Sequence, residues 1–137
     1  MKKLLVLCLI ALSGCASSAI PLADSKPVPS ARLFQTENRL PDGNSRVVFI
    51  RDTGLIGSGV YNHVYIDGQL AASLNPGERA EFVLVPGTHI IGVIPTNPFG
   101  TFALNTIDQD LKPDQSYFYR ILTDGNSMRT VVQRFIP

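Results

Sequence analysis

The chain has 137 residues, is 45% hydrophobic, and carries twelve basic and eleven acidic side chains for a formal charge of +1. That length suits one domain, and after residue 14 no apolar run approaches the roughly 18–20 residues of a spanning helix, which excludes a bundle of such helices. Two of the basic residues, Lys2 and Lys3, sit at the N-terminus; without them ten basic residues face eleven acidic ones, and no basic cluster is present to attract nucleic acid.

Met1-Lys2-Lys3 is a short positive segment, and the apolar core from Leu4 to Leu12 is too short to span a bilayer. It ends in Leu12-Ser13-Gly14-Cys15. These four residues resemble the lipobox of bacterial lipoproteins, in which small residues precede an obligatory cysteine. The resemblance implies that residues 1–14 are a signal peptide cut between Gly14 and Cys15. The Cys15 thiol would then carry a diacylglycerol and the new amine an acyl chain. Each buried methylene contributes about 0.8 kcal/mol, so two or three chains give roughly 20–35 kcal/mol, far beyond one myristoyl group. Ala16 follows Cys15 where an Asp tends to retain such proteins at the inner membrane. An outer-membrane anchor with the domain facing the periplasm is therefore expected. An ordinary secretory cleavage site at Gly14-Cys15-Ala16 is the other reading of the same residues. Of the two cysteines, Cys8 leaves with the leader and Cys15 is modified. The mature chain then has no thiol for a disulfide, a nucleophile or a metal.

Residues 15–45 contain Pro21, Pro27, Pro29 and Pro41 among Ser, Ala, Asp and Asn. Proline removes donors and fixes φ, so this stretch is expected to be an extended, flexible tether. Ala31–Arg39 suits a short helix or an early strand, and Leu33-Phe34 is placed to dock on the domain.

From Arg46 to the C-terminus the pattern becomes short β-rich runs between turn signals. The first is Arg46 to Arg51, followed by the glycine-rich stretch Asp52 to Gly59. Val60 to Asp67 alternates, with Asn62, Val64 and Ile66 on one face and Tyr61, His63 and Tyr65 on the other, as in a half-buried strand. Asp67-Gly68 predicts a tight hairpin turn into Gln69–Leu74. Asn75-Pro76-Gly77 predicts a second turn, and Glu78 to Val85 places Ala80, Phe82 and Leu84 on one face. After Pro86-Gly87, Thr88 to Ile94 is nearly all apolar and reads as a central strand buried on both sides. Thr101 to Ile107 is the next strand, Asp108 to Gln115 a polar loop, and Ser116–Thr123 and Met128–Phe135 a hairpin joined at Asp124-Gly125-Asn126. Seven to eight such strands over residues 46–137 predict an all-β fold, a small antiparallel β-sandwich.

Val64-Tyr65-Ile66-Asp67-Gly68, then Leu74, Gly77 and Leu84-Val85-Pro86-Gly87-Thr88-His89, resemble the PEGA-type and related domains of unknown function in bacterial envelope lipoproteins. Arg51-Asp52-Thr53-Gly54-Leu55-Ile56-Gly57-Ser58 resembles the opening of one such family, and Tyr117-Phe118-Tyr119 its aromatic strand. The resemblance covers about Arg46 to Tyr119 and implies a prealbumin-like or immunoglobulin-like sandwich. It brings no catalytic residue and no cofactor.

Five constellations carry candidate chemistry. Asp52-Thr53-Gly54 after an apolar strand, with His89-Ile90-Ile91-Gly92 behind it, resembles the triplet of retropepsin-like aspartic peptidases, where two protomers share a proton between paired carboxylates. Arg51 before the Asp and Leu55 after the Gly depart from that pattern, and a strand-ending turn is the preferred reading of the triplet. His63 and His89 have no further ligand at a recognisable metal spacing, so no metal is expected. The glycines at 54, 57 and 59 lack the spacing and the βαβ context of a dinucleotide site. Tyr61, His63 and Tyr65, with Tyr117 and Tyr119 near them, form a candidate binding face for carbohydrate or protein; sandwich core with hydroxyls reaching the edge is the structural reading of the same residues. Arg51, Arg120, Arg129 and Arg134 fall in or beside strands, where cross-strand pairing with acids is expected. The expected function is a non-catalytic structural, accessory or binding module of the envelope, held by the membrane through Cys15 and contacting an envelope protein or polymer. A secretion-apparatus lipoprotein with a transthyretin-like sandwich and the aspartic peptidase are the alternatives.

Overall fold

The computed structural model describes residues 17–35, 44–55, 57–96, 103–124 and 129–137. Gly14 and Cys15, the expected signal peptide over residues 1–14, the tip of the 124–129 hairpin and the start of the strand expected from Thr101 lie outside them. Nine strands follow one another: β1 (Lys26–Pro27), β2 (Ser45–Arg51), β3 (Asn62–Ile66), β4 (Gln69–Leu74), β5 (Glu78–Leu84), β6 (Gly87–Pro95), β7 (Asn105–Leu111), β8 (Ser116–Thr123) and β9 (Thr130–Phe135). They form a five-stranded sheet in the order β1-β5-β2-β8-β9 and a four-stranded sheet in the order β4-β3-β6-β7. The two sheets pack face to face as a small all-β sandwich.

The chain changes sheet at short turns. β4 passes to β5 through Asn75-Pro76-Gly77, where the Glu78 N–H returns to Asn75 O at 3.1 Å. Pro76 presets φ, and Gly77 at φ 82° accepts the left-handed position of a type II turn. Within the four-stranded sheet, β3 and β4 are joined by Asp67 at φ 51° and Gly68 at φ 79°, the pair of positive angles a two-residue hairpin requires. Most neighbours run antiparallel, but β2 and β8 are parallel, with Val47 opposite Tyr117 and Phe49 opposite Tyr119.

Alternation puts Val64 and Ile66 of β3, and Ala80, Phe82 and Leu84 of β5, into the core between the sheets. Phe49 sits at its centre, stacked on Tyr119 at 5.3 Å between ring centroids and edge-on to Phe82 at 5.9 Å. Asn62 shares the inward face of β3 at 1% exposure, with neither side-chain amide atom hydrogen-bonded among the described residues.

Three expectations are corrected. The strand buried on both sides is β2 rather than β6. Val48 and Ile50 point away from the core yet are fully buried. Phe118 stands opposite Val48 and Arg120 opposite Ile50 in register. Arg46 lies over the Phe118 ring at 5.5 Å, Arg120 over Phe135 at 4.5 Å, and Arg46 and Arg79 both bond Glu81. On β6, by contrast, Ile90 is 51% exposed. The second correction is β7, which runs through Asp108 to Leu111 where a polar loop was expected. It is an edge strand, so Thr106, Asp108 and Asp110 face solvent while Ile107 and Leu111 face inward.

The third correction concerns the tether over residues 15–45. Residues 17–35 form a strap along the sandwich. Ser18 pairs with Thr53, Lys26–Pro27 adds a parallel edge strand to β5, and Leu33 pairs with Ala72 of β4. Val28 enters the core. Arginines of the sandwich hold strap carbonyls: Arg120 donates to Ile20 O, and Arg79 to Ser25 O. The strap thus covers one edge of each sheet, along β5 and at Ala72 of β4, where unpaired strand groups invite association.

Candidate functional site

The alternation of β3 turns Tyr61, His63 and Tyr65 to the outer face of the four-stranded sheet, and the strap divides them into two settings. Tyr61 is 40% exposed and lies under the Arg32 guanidinium, 5.0 Å from the ring centroid. Arg32 is itself fixed. It donates to Ser73 O and makes a two-pronged pair with the Glu78 carboxylate at 2.6 and 2.7 Å. Burial pushes the Glu78 carboxyl up, but the bonds from Arg32 and the Asn75 N–H outweigh it and hold Glu78 below its ordinary range.

His63 stands opposite Ser73, with Nδ1 and the Ser73 hydroxyl 2.6 Å apart. Burial lowers the His63 pKa, which favours the neutral ring. Ser73 is only 3% exposed, so the pair locks β3 to β4 and presents no open nucleophile.

Tyr65 belongs to a different feature. With Gly68, Ile90, Gly92, Ile94, Leu104 and Thr106 it lines an apolar hollow of about 320 Å³. Gly92 makes the floor. A Cβ there would lie 3.1 Å from Leu104, so the missing side chain is what lets Leu104 lie close over the strand as a wall of the hollow. Only the Tyr65 and Thr106 hydroxyls are polar side-chain groups among the lining residues. Such a surface accepts an apolar side chain or ring.

Tyr117 and Tyr119 do not join this face. Both point into the core from the other sheet, and their hydroxyls reach its edge: Tyr119 donates to Gln109 Oε1 at 2.9 Å, and the Lys112 N–H donates to Tyr117 at 2.8 Å. Burial raises the Tyr119 pKa to about 12. The hollow itself was missed in the sequence. Gly92 at an outward position of β6, flanked two residues away by Ile90 and Ile94, was the local sign of it.

Asp52 ends β2 buried, paired with Arg120 and accepting the Ile20 N–H at 3.4 Å. Burial pushes its carboxyl above the ordinary value, against the pull of Arg120. The carboxylate is thus engaged by the protein's own groups, as in a strand-ending ion pair. Arg51, also buried, donates to Val60 O, Leu74 O and Gly57 O, each at 2.6 Å. Burial lowers its pKa to about 10. Arg134 lies over Tyr117 at 4.7 Å, and Arg129 is exposed.

His89 bridges two turns. Its Nδ1 is 2.6 Å from Asp67 Oδ2 and its Nε2 is 2.9 Å from Val85 O, so both ring nitrogens face acceptors. Burial lowers its pKa, but the bonds to Val85 O and Asp67 outweigh this and hold it above the ordinary value. Asp67 also accepts the Ile90 N–H at 2.9 Å. Among the described residues no group of three or more metal-ligating side chains converges.

No protein-family model matches this chain, and no curated protein matches it. The functional reading therefore rests on the residues themselves.

Proposed function

We propose that the chain is a lipid-anchored protein of the bacterial outer membrane, its sandwich facing the periplasm as a non-catalytic structural, accessory or binding module. The observation that carries this reading is Leu12-Ser13-Gly14-Cys15 standing where the apolar core Leu4–Leu12 ends. Acyl chains on Cys15 supply an anchor stronger than one lipid gives. The outer face of the four-stranded sheet supports the binding role, since its hollow suits an apolar side chain of an envelope protein or a ring of an envelope polymer.

Metabolic palmitate labelling tests the anchor. Wild type incorporates label and accumulates as precursor under globomycin, whereas Cys15→Ser incorporates none. A soluble, unlabelled wild type overturns the reading. A photo-crosslinker at Tyr65 in intact cells tests the binding role. A discrete adduct that disappears when Ile90 is changed to Asn supports it, and absence of any adduct overturns it.

A further inference from the structure

Cys15 stands two residues before Ser17, and Ser17 is fixed to the sandwich. Its hydroxyl donates to Thr123 O at 2.9 Å and accepts the Thr123 N–H at 3.2 Å. Ser18 and Thr53 exchange main-chain bonds of 2.7 and 3.1 Å. The Ser17 Cα lies 3.1 Å from the position a Cβ on residue 54 would take, an approach that Gly54 permits. An acylated Cys15 holds its backbone at the headgroup boundary, and two extended residues reach no more than about 7 Å. A flexible thirty-residue linker would instead give roughly 30 Å of freedom.

We infer that the end of the sandwich bearing Ser17, Thr53–Leu55 and Thr123 rests on the lipid surface, with Leu55 entering the headgroup layer. This rests on the lipid anchor proposed above. Leu55 is 77% exposed on the residue after Gly54. Hydrogen bonds hold the residues around it: the Ser58 N–H and hydroxyl return to Leu55 O, and the buried Arg51 guanidinium holds Gly57 O and Val60 O. A large apolar side chain in that position finds acyl and glycerol groups within reach, and loses little freedom in meeting them. The opposite end is marked by Val85, 54% exposed, beside Leu84, which pairs with Ser45 at the start of β2. The length of β2 separates the two ends by about 20 Å.

The test uses the full lipidated chain in phosphatidylethanolamine–phosphatidylglycerol vesicles that carry a nitroxide-labelled lipid. With Cys8 removed and Cys15 acylated, an introduced cysteine is the sole thiol for a fluorophore. Leu55→Cys and Val85→Cys both replace exposed side chains, so folding is retained. The lipid quencher should dim the fluorophore at 55 several-fold more than at 85. A flexible insert of about fifteen Gly/Ser residues between Ala16 and Ser17 should bring the signal at 55 down to that at 85, while the vesicles still carry the protein on flotation. Equal, weak quenching at both positions with retained flotation overturns the inference and leaves the anchor standing. Quenching at 55 that ignores the insert also overturns it. Protein that fails to float, or a Cys15 without acyl chains, overturns the anchor itself.

Discussion

The two outer faces of the sandwich are built from similar residues and end in opposite states. On the five-stranded sheet, Phe118, Phe135 and the stems of Arg46 and Arg120 cover Val48 and Ile50 until neither touches solvent. On the four-stranded sheet, Ile90 and Leu104 stay about half exposed around the floor left by Gly92. Long arginine stems over aromatic rings seal the first face, since they bury carbon while keeping charge in water. The second face has small or short side chains at the corresponding places, Gly92 and Thr106 among them. One face buries its apolar side chains, and the other leaves Ile90 and Leu104 open to solvent.

Breaking the sealed face should cost most. Arg120→Met leaves the buried Asp52 without its cation and should lower stability by about 3 kcal/mol in urea unfolding near pH 7. The deficit should shrink at acid pH, because burial already favours the protonated form of Asp52. Val48→Ala should cost about 2 kcal/mol despite lying on an outer face. The His89 lock at the turn end of the open sheet should matter less, on the order of 1 kcal/mol. His89 titrates above its ordinary value of 6.5, so its contribution is complete below that pH and fades as the pH rises through the higher folded value. The thermal midpoint of wild type should therefore fall relative to His89→Gln from acid toward alkaline pH. Ile90→Ala on the open face should change stability by no more than about 0.5 kcal/mol while reducing partner capture. A large loss there would mean that the face is structural after all.

Eight of the nine strands were legible in the sequence, because alternation and turn signals are local. Asp67-Gly68 and Asn75-Pro76-Gly77 each take the turn their residue types predict. The doubly buried strand was misplaced, although four consecutive apolar residues from Val47 to Ile50 carried the sign of it. What covers them comes from Phe118 and Arg120 on β8 and Phe135 on β9, far along the chain, and no window of sequence reports that. The strap was hidden for a related reason. It is held mainly by main-chain bonds and by arginines reaching its carbonyls, and neither leaves an apolar period. Of the candidate face, β3 alternation placed all three side chains outward, but only the fold separates Tyr65 from Tyr61 and His63.

The parallel pairing of β2 with β8 also sets when this chain can fold. Val47 meets Tyr117 only after the five intervening strands have been made, so the central pair of the larger sheet cannot form on a partial chain. Pairings of such long separation are slow to find. A nascent chain of this kind stays unfolded through most of its synthesis, which is the state in which a polypeptide can be threaded through a narrow translocation channel. Its final shape is reached only once Phe118 and Arg120 arrive to cover Val48 and Ile50.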